Sequence, residues 1–330
     1  MSLSVASFVP VSPAPWQDVG QRLPAKQSIE TWARAAGMDW RICEAPVNFM
    51  SDQAGNLGAI HSFDEHKVLF RSDSQLPLSV VGARYQVVQP REVLEFYRDL
   101  TEVAGYELET AGVLKEGRKF WALARTGKSL ALKGDDLVNG YLLLATSCDG
   151  TLATTATPTT IRVVCQNSLN MALRQAEGAI RVPHNTRFDA QAVKQQLGVA
   201  VSQWDSFMYR MKTLAERKVK NHEAMNYFLR LLCEPEGSAS IGSAASTSSA
   251  TSLINERALK QVQALYDGQG RGAELAAAKG TAWGLLSAVT EFVDHKRRAR
   301  SREYRLDSAW FGQGANLKQR ALTQALQLVA

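Results

Sequence analysis

The chain has 330 residues, of which 45 % are hydrophobic and 21 % charged, an ordinary globular composition. It is not that of a disordered polymer, a collagen or a disulfide-stapled mini-protein, and no apolar run approaches the roughly 20 residues of a membrane-spanning helix. The net charge of +6 lies in the second half: residues 1–180 hold 17 Lys and Arg against 19 Asp and Glu, residues 181–232 hold 9 against 4, and residues 250–330 hold 12 against 7. Such an asymmetry points to a polyanion partner, and nucleic acid is the commonest.

Residues 1–26 are rich in Pro, Ser and Val without a period and read as a loose N-terminal arm, with no basic segment and apolar core of a secretory signal. Residues 27–188 read as an α+β core. Ser28 can cap a short helix to about Met38, with Ile29, Trp32, Ala33 and Ala36 on one face. Strands follow over Asp39–Met50, Lys67–Arg71, Leu78–Val81 and Arg84–Val88, with a turn over Ser51–Asn56. Pro90 opens a helix that Gly105 closes near Ala104. Tyr106–Leu114 and Lys119–Arg125 pair as a hairpin around Glu116-Gly117. Leu137–Ser147 reads as a buried strand, and Thr151–Thr157 and Thr160–Cys165 as two more. A helix is expected from Asn167 to Arg174. The order lacks regular βαβ alternation, so the expected sheet is largely antiparallel with flanking helices.

The period then changes. Val193, Leu197, Trp204, Phe207, Met208, Met211 and Leu214 recur at three- and four-residue steps, predicting a long amphipathic helix over 189–232, with room for one break. Residues 233–252 are rich in Ser and Ala and read as a flexible linker. Residues 253–330 read as a helical region packing on the core. Its helices are expected over Leu253–Tyr266, Ala273–Arg300 and Gly314–Val329, so the C-terminal half is mostly α-helical.

Candidate chemistry is sparse. Gly268 to Gly272 follows a helix, not a strand, and so reads as a connector and not a phosphate loop. Asp64-Glu65-His66-Lys67 carries a Glu-x-Lys of the kind Mg²⁺-dependent nucleases use, but no second carboxylate can be assigned to it. It reads as a charged loop ahead of a strand. Glu291 and His295, with Asp294, share a helix face without a further ligand and read as a surface pair. Cys43, Cys148, Cys165 and Cys233 lie at no metal-ligand spacing and read as reduced thiols of a cytoplasmic protein. No hydrolase elbow or zinc-protease helix is present, so no catalytic residue, metal or cofactor is assigned.

The strongest signal is basic. Lys296, Arg297, Arg298, Arg300, Arg302 and Arg305 fall within ten positions, followed by Trp310 and Phe311. Arginine forks match phosphate geometry, and aromatic faces stack on unpaired bases. Trp310-Phe311 can equally seat the last helix on the core. Arg162, alone among Ile161, Val163 and Val164, either enters a groove of the sheet or alternates outward. Arg210, Lys212, Arg217, Lys218 and Lys220 read as the solubilising face of the long helix.

Four stretches carry a resemblance: Leu78–Gln89 (LSVVGARYQVVQ), Thr160–Leu169 (TIRVVCQNSL), Thr281–His295 (TAWGLLSAVTEFVDH) and Arg305–Lys318 (RLDSAWFGQGANLK). Together they resemble the phage/plasmid-like protein family, also called domain of unknown function 932, over about residues 25–328. The resemblance implies a mobile-element protein and supplies no catalytic residues. The expectation is a non-enzymatic, single-stranded DNA binding or annealing protein of a phage, prophage or plasmid. It would be cytoplasmic and homo-oligomeric, without a membrane or small-molecule partner. Lys296, Arg297, Arg298, Arg300, Arg302 and Arg305 would be its phosphate contacts, with Arg162 added. The alternatives are a factor that docks a host protein on the Met- and aromatic-bearing helix, and a nuclease that uses Glu65.

Overall fold

A computed structural model describes residues 14–24, 26–51, 58–171, 180–186, 203–233 and 249–329, together with 189, 191–193 and 195; of residues 99–104, 233 and 249–255 it describes the backbone alone. The element order is β1 (Gln21–Arg22), α1 (Ile29–Ala35), β2 (Ile42–Met50), β3 (Ile60–Arg71), β4 (Pro77–Gly82), α2 (Pro90–Ala104), β5 (Glu107–Leu114), β6 (Lys119–Ala131), β7 (Leu137–Ser147), β8 (Thr154–Arg162), β9 (Asn167–Asn170) and β10 (Ile180–Val182). Helices then dominate: α3 (Trp204–Glu216), α4 (Asn221–Cys233), α5 (Ser249–Ala264), α6 (Ala282–Glu291), α7 (Arg302–Phe311) and α8 (Gln313–Gln327). The fold is α+β. Its main sheet is antiparallel in the order β1-β5-β6-β7-β8-β10, with β9 also on β8, and a second sheet runs β2-β3-β4.

Strand alternation splits the interior in two. Phe120, Ala122 and Ala124 of β6 and Leu142 and Leu144 of β7 face α1, α2 and the small sheet. Trp121, Leu123, Leu143 and Ala145 face the C-terminal helices. The central strands are therefore buried on both faces, so they read as continuous apolar runs instead of alternating ones. Between β5 and β6, Lys115, Glu116 and Gly117 all take positive φ, and a Cβ on Gly117 would lie 2.7 Å from the Trp40 ring.

Several expected boundaries shift. Arg84–Val88 is not a strand; it leaves β4 through a turn, and the Tyr85 hydroxyl donates to the Ser147 carbonyl at 2.7 Å. The two Thr-rich strands are the single strand β8, buried along its whole length. The helix expected from Asn167 is strand β9 instead. Gln166 takes a left-handed φ of 54° and folds the chain back, so that Thr159 and Thr160 donate to the Leu169 carbonyl. Residues 172–174 of that expected helix lie outside the described residues.

The arm is anchored where it is described. Trp16 is 4 % exposed and stands 5.6 Å from Trp310, and β1 pairs with β5; residues 1–13 lie outside the described residues. The long helix breaks into α3 and α4, because Arg217 turns extended and gives its Nε–H to the Leu328 carbonyl at 3.1 Å. Residues 190, 194 and 196–202 of it and most of the linker (234–248) lie outside the described residues, and α5 begins at Ser249. The helix expected over Ala273–Arg300 starts only at Ala282, capped by Thr281, and runs through a π-turn to Lys296. A separate helix, α7, follows.

Candidate nucleic-acid interface

The π-turn over Phe292–Lys296 ends where the Arg297 N–H bonds the Phe292 carbonyl at 2.7 Å. Residues 297–301 form a short loop, and the Ser301 hydroxyl caps α7 by accepting the Tyr304 N–H at 3.2 Å. The six cations expected as phosphate contacts fall on this loop and its flanks in different states. Arg297 and Arg305 are half-buried: Arg297 donates to Gln313 Oε1 at 3.1 Å, and Arg305 Nε–H donates to the Arg297 carbonyl at 3.0 Å. Burial lowers the pKa of Arg297. Arg302 is exposed but paired with Asp18. Lys296, Arg298 and Arg300 are exposed and, among the described residues, have no carboxylate partner. Arg300 approaches the Tyr304 ring at 6.0 Å.

Helix dipoles sharpen the field here. Lys296 sits at a helix C-terminus, where a cation is favoured, but Arg300 sits at the N-terminal end of α7, where the dipole adds positive potential. Arg298 and Arg300, just ahead of a helix N-terminus and without a carboxylate partner among the described residues, make with Lys296 an anion-attracting surface.

Arg162 is not on that surface. It is 4 % exposed, with Nε 2.7 Å from Asp136 Oδ1 and Nη2 donating to the Gly272 carbonyl at 2.9 Å. A guanidinium so enclosed cannot reach a phosphate, so the sequence assignment is corrected. Trp283 Nε1–H donates to the other Asp136 oxygen at 2.9 Å. Gly272 takes a φ of +69°, and a Cβ there would come within 2.7 Å of Val164 and 3.0 Å of Arg162 Nη2. The glycine-rich connector thus lets the backbone close over the buried pair.

Trp310 is also interior, 5 % exposed, 4.9 Å from Trp121, with its N–H donated to Ser168 Oγ at 3.1 Å. Phe311 is half-buried beneath Lys119. The pair seats α7 on the sheet. The exposed aromatic beside the cations is Tyr304, at 46 %. Its sequence signal was its place four residues after Arg300 in a capped first turn.

Beneath the loop lies a buried polar network that sequence reasoning placed at the surface. Every residue of α6 is buried, so the charges at its end point inward. Asp294 Oδ1 pairs with Lys318 Nζ at 2.8 Å, with side chains 1 % and 4 % exposed. Asp294 Oδ2 accepts the Ser168 N–H at 2.7 Å, and Lys318 donates to Ser168 Oγ at 2.9 Å. Glu291 accepts the Arg271 N–H at 2.9 Å, and burial raises its pKa. His295 Nε2 meets the Cys165 carbonyl at 2.9 Å, and burial pushes its pKa down to about 4. Three of the four stretches that carry the resemblance meet in this network; Leu78–Gln89 lies on the other face of the sheet, at Ser147 and Cys148.

The remaining candidates disperse. Asp64–Lys67 lies within β3 and not in a loop: Glu65 is exposed and Lys67 pairs with Glu44 at 2.9 Å. Among the described residues no three His, Cys, Asp or Glu side chains gather as a metal site. Trp204, Phe207, Met208 and Met211 are buried, so α3 does not present them to a partner. Arg217 pairs with Glu223 and Lys218 donates to the Lys279 carbonyl. Arg217 contacts Leu328, the residue that follows α8, and Arg297 contacts Gln313, its first residue. The two basic groups are thus separated by the length of a 15-residue helix, about 22 Å.

No curated protein and no solved structure matches this chain. The family described as domain of unknown function, DUF932, matches residues 77–310. That span runs from the first residue of β4 to Trp310 and takes in the basic loop and most of the network beneath it. The chain belongs to the DUF932 family.

Proposed function

We propose that this chain is a non-enzymatic nucleic-acid-binding protein of the single-strand annealing type. It would serve a phage, prophage or plasmid and work as a cytoplasmic homo-oligomer. One observation carries the reading: Arg298 and Arg300 are exposed and, among the described residues, without a carboxylate partner, on a loop held by Arg297–Gln313, by Arg305 on the Arg297 carbonyl and by the Ser301 cap, with Lys296 exposed just before it. A cationic loop held in place loses little entropy on meeting a phosphate backbone. Arg302 adds a fourth contact where a phosphate displaces Asp18; Arg297 and Arg305 support the loop.

Fluorescence anisotropy of labelled single- and double-stranded oligonucleotides, titrated over several salt concentrations, tests this. Each phosphate contact on a single strand contributes about 0.7 to the slope of log affinity against log salt. Replacing Lys296, Arg298 and Arg300 together by Ala should lower the slope by about 2. No binding at low salt, or an unchanged slope in the triple variant, overturns the proposal.

One observation favours a second reading, a factor that binds a host protein. Phe49 (53 %), Met50 (67 %), Ile60 (74 %), Phe63 (43 %) and Val80 (60 %) are exposed on the small sheet, where strand alternation puts Phe49 on one face and the paired Met50 and Ile60 on the other. An apolar surface of this kind is typical of protein contacts. The docking face would then be β2–β4 and not the Met-bearing helix. Capture of one stoichiometric protein, free of nucleic acid and lost on Val80→Glu, would favour it.

A further inference from the structure

We infer that Tyr304 is a base-stacking platform that gives the loop its preference for unpaired strands; this rests on the nucleic-acid reading above. The first turns of α7 are closely tied. Arg302 pairs with Asp18, Glu303 accepts the Lys115 N–H, Arg305 holds the Arg297 carbonyl and Leu306 is 1 % exposed. On the next turn Asp307 pairs with Lys115 at 2.8 Å and Lys119 at 2.6 Å, which fixes the helix to the β5–β6 hairpin. Among these residues Arg302 and Tyr304 are exposed, but Arg302 is paired; Tyr304 is 46 % exposed, and its hydroxyl has no hydrogen-bond partner among the described residues.

Tyrosine is a rigid side chain with two torsions, so presenting it costs little conformational entropy. Arg300 is 6.0 Å from the centre of its ring, and Arg298 lies two residues before Arg300 on the same loop. A single strand whose phosphates meet Arg298 and Arg300 can lay a base on that ring. The bases of a duplex are stacked on one another and cannot. Backbone contacts alone do not separate the two strand types, whereas stacking does.

The test uses the full chain and three labelled ligands of equal length: oligo-dT, the same backbone with abasic sites, and a duplex. The wild type should bind oligo-dT at least about 5-fold more tightly than the abasic strand. Tyr304→Ala should weaken oligo-dT binding by about 5- to 100-fold while leaving the abasic affinity and the salt slope unchanged. Tyr304→Phe should retain binding, since the stack needs the ring and not the hydroxyl. Arg300→Ala should weaken both strands and flatten the slope. Equal binding of oligo-dT and the abasic strand, or equal loss on both in Tyr304→Ala, overturns the platform and leaves the backbone contacts standing. Absence of binding by all three ligands at low salt removes both inferences. Unchanged thermal melting of Tyr304→Ala, expected at this exposed position, ties any loss to binding.

Discussion

Two groups of charges, adjacent in sequence, differ in almost every physical respect. Asp294 and His295 end a buried helix, and the Asp294–Lys318 pair is all but closed to solvent. Lys296, Arg298 and Arg300 follow within a few residues and are exposed. The first group is satisfied inside the protein and locks helices to sheet; the second remains free to meet a ligand. Charge density along the chain does not distinguish them. The end of the π-turn does, because the backbone leaves the core at Arg297.

The sharpest way to break this contrast is at the buried pair. Lys318→Met leaves the Asp294 carboxylate buried with only the Ser168 donors, and the expected loss is about 3–5 kcal/mol by urea unfolding. Replacing both partners with apolar residues, Asp294→Leu with Lys318→Met, should cost less than the single change. A larger loss in the double variant would show that the pair contributes more than its desolvation costs.

A smaller effect is expected from pH. The ordinary His295 value of 6.5 is lowered to about 4 in the folded chain by burial. Between those values the unfolded chain binds a proton that the folded chain excludes. Stability from this residue is therefore complete above pH 6.5 and is lost as pH falls towards 4, by about 2–3 kcal/mol. His295→Gln should flatten that part of the stability curve; an unchanged curve would mean that the imidazole is protonated in place.

The smallest effect belongs to the loop. Arg298→Ala and Arg300→Ala should each change folding stability by less than about 0.5 kcal/mol, even where they weaken nucleic-acid binding. A loss above about 1 kcal/mol by urea unfolding would place these cations with the structural group.

Much of the fold was legible because local signals agreed. Ser28 and Pro90 mark helix starts, and the β5–β6 hairpin and the buried β7 follow from pattern alone. The helix expected at Asn167 failed because residues 167–174 also suit a helix, and only the left-handed Gln166 and pairing with β8 make β9. The loop cations were legible as a run, but not their division into free and tied members, which depends on Asp18 and Gln313. Arg162 stayed ambiguous in sequence because its partner Asp136 lies in the turn before the neighbouring strand, 26 residues away. Tyr304 and the network under α6 were missed because both depend on which way a helix faces, and α6 is buried all round.

The distance between the network's partners along the chain also bears on how the protein is made. Ser168 and Lys318 meet across 150 residues, and Asp136 and Trp283 across 147. The strand face that α6–α8 cover is synthesised through Arg162, whereas α6 begins at Ala282, about 120 residues later. At translation rates of about 5–20 residues per second, that face waits roughly 6–24 s before the first of these helices is even begun. During that interval Trp121 and the end of β8 lack their α6–α8 partners, so a nascent chain of this length is a natural client for a chaperone that shields apolar surface.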